Sequence, residues 1–228
     1  MISMYFSETD DVGHEFSPDS EEIKHAVWNV DRYIGLLIEG LKQREIDKKV
    51  NLIVVSDHGM ATVDSHNTTF LDDYFNFNDT TRILWTNEIV QIFPKPNKEN
   101  VIFSKINKLR HATCWKKADV PERLHYQDSP RIAPIVCSSE EGWITTSRKR
   151  HNDWIKDNDI NQLRGAHGYD NRYQSMQATF IAHGSAFQKG KTFEPFENIH
   201  IYNLMCKILG LTPAKNDGDF ERVKNMLK

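Results

Sequence analysis

The chain has 228 residues, 39% hydrophobic and 27% charged, with a formal net charge of −3. That length suffices for one domain with a sizeable core, or for a large piece of a bigger one. The charge balance excludes a basic footprint for DNA or RNA, since the longest positive run, Arg148-Lys149-Arg150, reads as a solvated loop; no stretch approaches the roughly 18 apolar residues of a membrane span.

Residues 2–7 (ISMYFS) read as a buried strand that begins at once, without the basic start and apolar run of a secretory signal. A long amphipathic helix is expected from Asp19 to Arg44, with Asp19 and Glu22 as a capping box. Ile23, Ala26, Val30, Ile34, Leu37 and Leu41 form its core-facing stripe, with Trp28 and Tyr33 packing along it. Residues 50–55 (VNLIVV) are apolar throughout, as in a strand buried on both faces of a parallel sheet. Strand, helix and strand then make a βαβ unit with a right-handed crossover, whose ligand sites gather at the strands' C-terminal ends.

Farther along, residues 82–85 and 88–93 read as short strands around Thr86-Asn87, residues 98–110 as a helix and 131–137 as a strand. The polar stretch 148–165 reads as a long loop, residues 177–182 as the last strand and 198–210 as the last helix. Of the three cysteines, none stands in a CxxC pair, and Cys206 lies in an apolar helical run. The odd count leaves at least one thiol free or paired outside the chain. Two glycosylation sequons, at Asn67 and Asn78, favour a secretory origin only weakly, because such short patterns arise often by chance.

Three segments carry metal chemistry. In Glu8-Thr9-Asp10-Asp11-Val12-Gly13-His14 a carboxylate and an imidazole stand on either side of a glycine, which permits a sharp turn. Either aspartate fits, and an acidic loop with an exposed histidine is the plainer reading of this segment alone. Ser56-Asp57-His58-Gly59-Met60 sets adjacent Asp and His at the end of a buried strand; a capping turn with Gly59 at positive φ accounts for it less well. Gly165-Ala166-His167-Gly168-Tyr169-Asp170 places a histidine between glycines in a polar loop, which by itself also describes a surface turn. Together, carboxylates and imidazoles suit zinc or a similar divalent ion. Two such ions some 3.5–4 Å apart clamp the attacking and leaving oxygens of a phosphoryl displacement.

YFSETDDVGH, SDHGM and GAHGYD, in that order, resemble the metal motifs of the ectonucleotide pyrophosphatase/phosphodiesterase family of the alkaline phosphatase superfamily. DVPERLHYQDSPRIAPIV and ENIHIYNLMCKILGLTPAKNDG are similar to it as well. The resemblance implies an α/β alkaline-phosphatase-like sandwich with a mostly parallel central sheet flanked by helices, and residues 1–228 as a single, partial catalytic domain. It implies two Zn2+ ions, one on Asp10, His14 and His167 and the other on Asp57 and His58. Glu8 would hydrogen-bond the loop. The remaining histidines match no ligand position.

The implied reaction is hydrolysis of phosphodiester or pyrophosphate bonds in small nucleotides, outside the cell or at its surface. The superfamily also offers hydrolysis of choline lipids or phosphomonoesters, and a non-catalytic relative is a further alternative. The family's nucleophile threonine and one more aspartate ligand would lie before Met1, and no catalytic residue of this chain replaces them. The chain therefore reads as incomplete at its N-terminus, without leader or anchor, and as poorly soluble or marginally stable by itself.

Overall fold

The computed structural model describes residues 1–228. In chain order its elements are α1 (Glu8–Phe16), α2 (Glu21–Gln43), β1 (Leu52–Val55), β2 (Ala61–Val63) and β3 (Thr68–Phe70). Then come β4 (Thr80–Trp85), β5 (Ile89–Pro94), α3 (Glu99–Ile106), β6 (Ala112–Lys116), β7 (Ile135–Ser139) and β8 (Ile144–Thr146). The chain closes with α4 (Arg148–Trp154), β9 (Arg164–Ala166), β10 (Phe180–His183) and α5 (Ile201–Leu209). It divides into two compact units, Met1–Val30 with His58–Gln177 and Asp31–Asp57 with Ala178–Lys228. No helix is long and apolar enough to cross a membrane.

The first unit is built on a four-stranded sheet in the order β4-β5-β7-β6, antiparallel throughout. Side chains alternate across a strand, so each face collects its own row. One face packs Val90, Ile92, Ile135 and Cys137 with Ile102 and Ile106 of α3 into the main core. The β4–β5 hairpin turns through Asn87, whose positive φ of 76° is a conformation Asn tolerates better than most residues. The tip is pinned, because the Asn87 carbonyl accepts from Thr145 N–H and from the Ser139 hydroxyl, both at 2.8 Å.

Cys114 and Cys137 face each other across β6 and β7 and are joined by a disulfide; Cys206 is the free, buried thiol expected of a core position. The bridge spans a sequence separation of 23 residues. Chain-entropy reasoning gives such a link about 3 kcal/mol of stabilisation. The unfolding free energy from urea titrations is expected to fall by about that amount on adding reductant, and to stop responding to reductant in Cys114→Ala/Cys137→Ala.

In the second unit, β1 and β10 pair antiparallel around a core that includes Phe187, Leu204, Val223 and Met226.

The α/β class holds, but several local expectations are corrected. Residues 2–7 form no strand and join no sheet; Ile2 is 90% and Tyr5 79% exposed. The βαβ unit is therefore absent. β1 is half-buried rather than covered on both faces, and pairs antiparallel. The one parallel pair is β3 with β8.

The start of α2 is capped by Ser20, whose hydroxyl accepts from Ile23 N–H at 3.2 Å, while Asp19 instead accepts from the Thr62 hydroxyl at 2.6 Å. Trp28 on that helix is 68% exposed and Tyr33 37%, so they do not pack as expected. The loop expected over 148–165 holds α4 and β9. Ser147 caps α4 by accepting from Arg150 N–H, and Arg148 forks onto Asp73 at 3.0 and 2.7 Å. Those side-chain bonds support a helix that has no apolar stripe to announce it.

Candidate metal site

The first segment is a helix, not a turn. Acidic residues in the first turn of α1 suit its positive end. Asp10 and His14 stand at i and i+4 on one face, whereas Asp11 is exposed. Gly13 gives no bend; it lets backbones approach. A methyl at Gly165 of β9 would sit 2.2 Å from the Gly13 carbonyl oxygen and 2.4 Å from Met60 Sδ. Gly59 makes a similar approach, where a methyl would lie 2.0 Å from the Ser175 carbonyl oxygen, and its φ is not positive. Glycines thus bring α1, the segment after His58 and β9 together at van der Waals contact.

The consequence is a convergence on one oxygen. Asp10 Oδ1 lies 3.5 Å from His14 Nε2, 3.9 Å from His58 Nε2 and 3.7 Å from His167 Nε2. These separations exceed good hydrogen bonds. Donors sharing one ion at 2.0–2.1 Å lie about 3.4 Å from one another, close to the separations of Asp10 from His14 and His167. Asp10 Oδ1 is buried without a hydrogen-bond partner, and Asp10, His58 and His167 offer ligand atoms all within 4.8 Å of one another. A buried, unpartnered carboxylate oxygen facing three ring nitrogens fits a cation-binding donor set.

Backbone carbonyls orient the rings. His14 Nδ1 bonds Gly165 O and His58 Nδ1 bonds Gly59 O, both at 2.8 Å. Holding the proton on Nδ1 leaves the Nε2 lone pair for a ligand bond. His58 and His167 stack with ring centroids 3.5 Å apart. Glu8, expected to hydrogen-bond its loop, instead accepts from Asn29 Nδ2 of helix α2 at 2.9 Å. Asp57 ends the strand segment of the second unit; its carbonyl accepts from Asn198 Nδ2 at 3.2 Å and the residue is exposed.

The loop after His167 is anchored at both following residues. Tyr169 donates to Trp143 O at 3.0 Å, and Asp170 is gripped bidentately by Arg123, which holds its carboxyl below the usual range.

Glu88 is a member of this neighbourhood that motif reading missed. It lies in the β4–β5 turn, against Gly168. Only sheet register brings it there. Burial pushes its carboxyl up to about 7, outweighing the hydrogen bonds from its own backbone and Thr86 and the nearby His14, which lower it. In metal-free protein the folded state keeps this proton from about pH 4.5 to about 7, where the unfolded chain has lost it. The contribution is whole below that window, falls as pH rises through it, and levels off above. Urea midpoints in chelator across that range are expected to show the decline, and Glu88→Gln to flatten it.

A carboxylate and imidazoles gathered on an α/β scaffold make a possible metal-binding cluster. Residues 1–170 match the family model described as type I phosphodiesterase / nucleotide pyrophosphatase, and the chain belongs to that family. It is 37% identical over 237 residues to venom phosphodiesterase of Macrovipera lebetinus, covering 100% of this chain and 27% of that protein. It is 32% identical over 234 residues to ectonucleotide pyrophosphatase/phosphodiesterase family member 7 of Mus musculus, covering 100% of this chain and 51% of that one.

The solved structure of murine ectonucleotide pyrophosphatase/phosphodiesterase 5 superposes with a TM-score of 0.84 at 35% identity, covering 96% of this chain and 56% of that one. The fold is thus alkaline-phosphatase-like. The chain spans between a quarter and about half of the length of these curated relatives.

Proposed function

We propose that this chain carries the metal-holding part of a zinc-dependent hydrolase of phosphodiester or pyrophosphate bonds in nucleotides, working outside the cell. The observation that carries the reading is the orphaned Asp10 Oδ1 ringed by His14, His58 and His167. Asp10, His14 and His167 would hold one ion, and Asp57 with His58 the other. When bound, the ions supply Lewis acidity, neutralising charge on the phosphoryl oxygens.

The chain's own residues do the positioning. The carbonyls of Gly165 and Gly59 fix the His14 and His58 rings. Asp10 supplies a negative charge to the set, which favours a dication. Residues 1–228 are read as one partial catalytic domain, supported by matches that run its whole length. The Cys114–Cys137 bridge supports an oxidising, extracellular setting; the sequons Asn67 and Asn78 are compatible with glycosylation there.

The test is turnover of a p-nitrophenyl nucleoside 5′-phosphodiester with added zinc, with chelator, and by Asp57→Ala/His58→Ala. Chelator-sensitive turnover lost in the double variant supports activity of this chain. Turnover no higher than that of the variant rejects catalysis by this chain alone.

A further inference from the structure

The face of the four-stranded sheet opposite the main core is not plain surface. The register puts Leu84, Gln91, Val136 and Trp115 side by side in a single row across β4, β5, β7 and β6. This row floors a cavity of about 320 Å³, within the size range of small-molecule sites. The segment 120–126 walls it with Val120, Leu124 and Tyr126, and Gly168, Tyr169 and Asp170 close the end that follows His167.

Side-chain hydrogen bonds from Gln91 and Arg123 hold that wall. Gln91 donates to the Tyr126 hydroxyl at 3.0 Å and accepts from Ala133 N–H at 3.0 Å, fastening the wall to the floor. Arg123, from the same wall, grips Asp170 and Asn171 on the loop that carries His167. The one carboxylate on the lining, Asp170, is thereby neutralised, and Gln91 is satisfied. What remains is mostly apolar surface edged by hydroxyls: Tyr126 accepts from Gln91 and keeps its own hydrogen, and Ser138 stands on the same face as Val136. A charged group would be desolvated there without a partner, whereas an uncharged ring or short hydrocarbon chain gains contact.

We infer that this cavity is a subsite for a compact, uncharged apolar group, an aryl ring or short alkyl chain, carried by the phosphoester that the metal site receives. The assignment rests on the phosphoester reading above for the source of the group. It rests for the place on the wall shared with the His167 loop. Occupancy would be set by the floor row, and the Arg123–Asp170 pair would keep cavity and metal ligand in register with each other.

The test uses 1-naphthol and 1-naphthyl phosphate as probes, titrated calorimetrically into the full chain. Leu84→Arg adds a charge at a floor position already 39% exposed, so the fold should tolerate it. Leu124→Gln, on the opposite wall, is the second variant should the first fail to fold. Naphthol is expected to bind the wild type, to weaken at least fivefold in each variant, and to be unaffected by Asp10→Asn. With zinc present, naphthyl phosphate is expected to bind at least tenfold tighter than naphthol and to lose as much to Leu84→Arg.

Equal naphthol affinity in wild type and both variants would overturn the subsite, as would ester binding indifferent to Leu84→Arg. Ester binding indifferent to zinc would instead count against the metal-site reading, and naphthol binding lost in the variants would still uphold the cavity.

Discussion

Asp10→Asn is expected to weaken zinc binding a hundredfold or more and to leave the metal-free fold as stable as before. The carboxylate contributes the negative charge of the cluster, and its Oδ1 is the atom on which three imidazoles converge at 3.5–3.9 Å. Loss of groups that merely orient a ligand already costs roughly 10–100-fold in metal affinity. Loss of the ligand itself should exceed that, about 2.7 kcal/mol or more.

The metal-free comparison moves differently. Oδ1 is buried without a hydrogen bond, so the aspartate contributes little there that an amide of the same shape would lose. Zinc at about a hundred times its dissociation constant stabilises the wild type by about 2.7 kcal/mol. For a chain of this size that raises the melting temperature by roughly 5–10 °C. Melting scans with zinc and with chelator should show that rise in the wild type and none in Asp10→Asn. An equal rise in both would place the ion elsewhere. A large drop of the metal-free melting temperature would make Asp10 a structural residue.

The candidate site was legible in the sequence to the level of residue types. Three motifs, each with a histidine beside a carboxylate or between glycines, gave four side chains that the structure gathers: Asp10, His14, His58 and His167. The local geometry was less legible. The helical i, i+4 relation of Asp10 to His14 was there to be seen, but a glycine between them suggested a turn. Glycine serves two ends, conformational freedom and close approach, and only the neighbours reveal which. Glu88 carries no motif, because a turn residue gains meaning only from the register of the sheet behind it.

For the fold, long apolar or alternating runs were readable: α2, the β4–β5 hairpin and α5 fall near their expected places. Two kinds of element were not. Residues 2–7 have a strand's composition but join no ladder, and composition does not report pairing. α4 has a partner set without a helix's pattern, since Ser147, Asp72 and Asp73 hold it from outside its own sequence.

Gly165→Ala is expected to lower stability by about 3 kcal/mol or more and to weaken metal binding together with it. The added methyl would lie 2.2 Å from the Gly13 carbonyl oxygen, 2.8 Å from the Gly13 carbonyl carbon and 2.4 Å from Met60 Sδ. The methionine can swing aside, because its thioether chain is flexible. The Gly13 backbone cannot move without moving α1, since its carbonyl also accepts from Ser17 N–H at 3.0 Å at the helix end. Relief therefore means sliding α1 away from β9 by about an ångström.

That displacement carries Asp10 and His14 away with α1 and leaves His167 behind at the end of β9. It also stretches the His14 Nδ1 to Gly165 O bond that aims the imidazole, now 2.8 Å. A stability effect and a metal effect should then appear in one substitution that touches no ligand. Gly190→Ala separates this from a general intolerance of alanine, since its methyl would meet nothing within 4 Å, although its φ of 62° carries a small backbone penalty. Urea unfolding and zinc titration of both variants decide it. A Gly165→Ala protein with wild-type zinc affinity would show that α1 and β9 have room to separate without disturbing the ligands, and the glycine pair would lose its role in building the site.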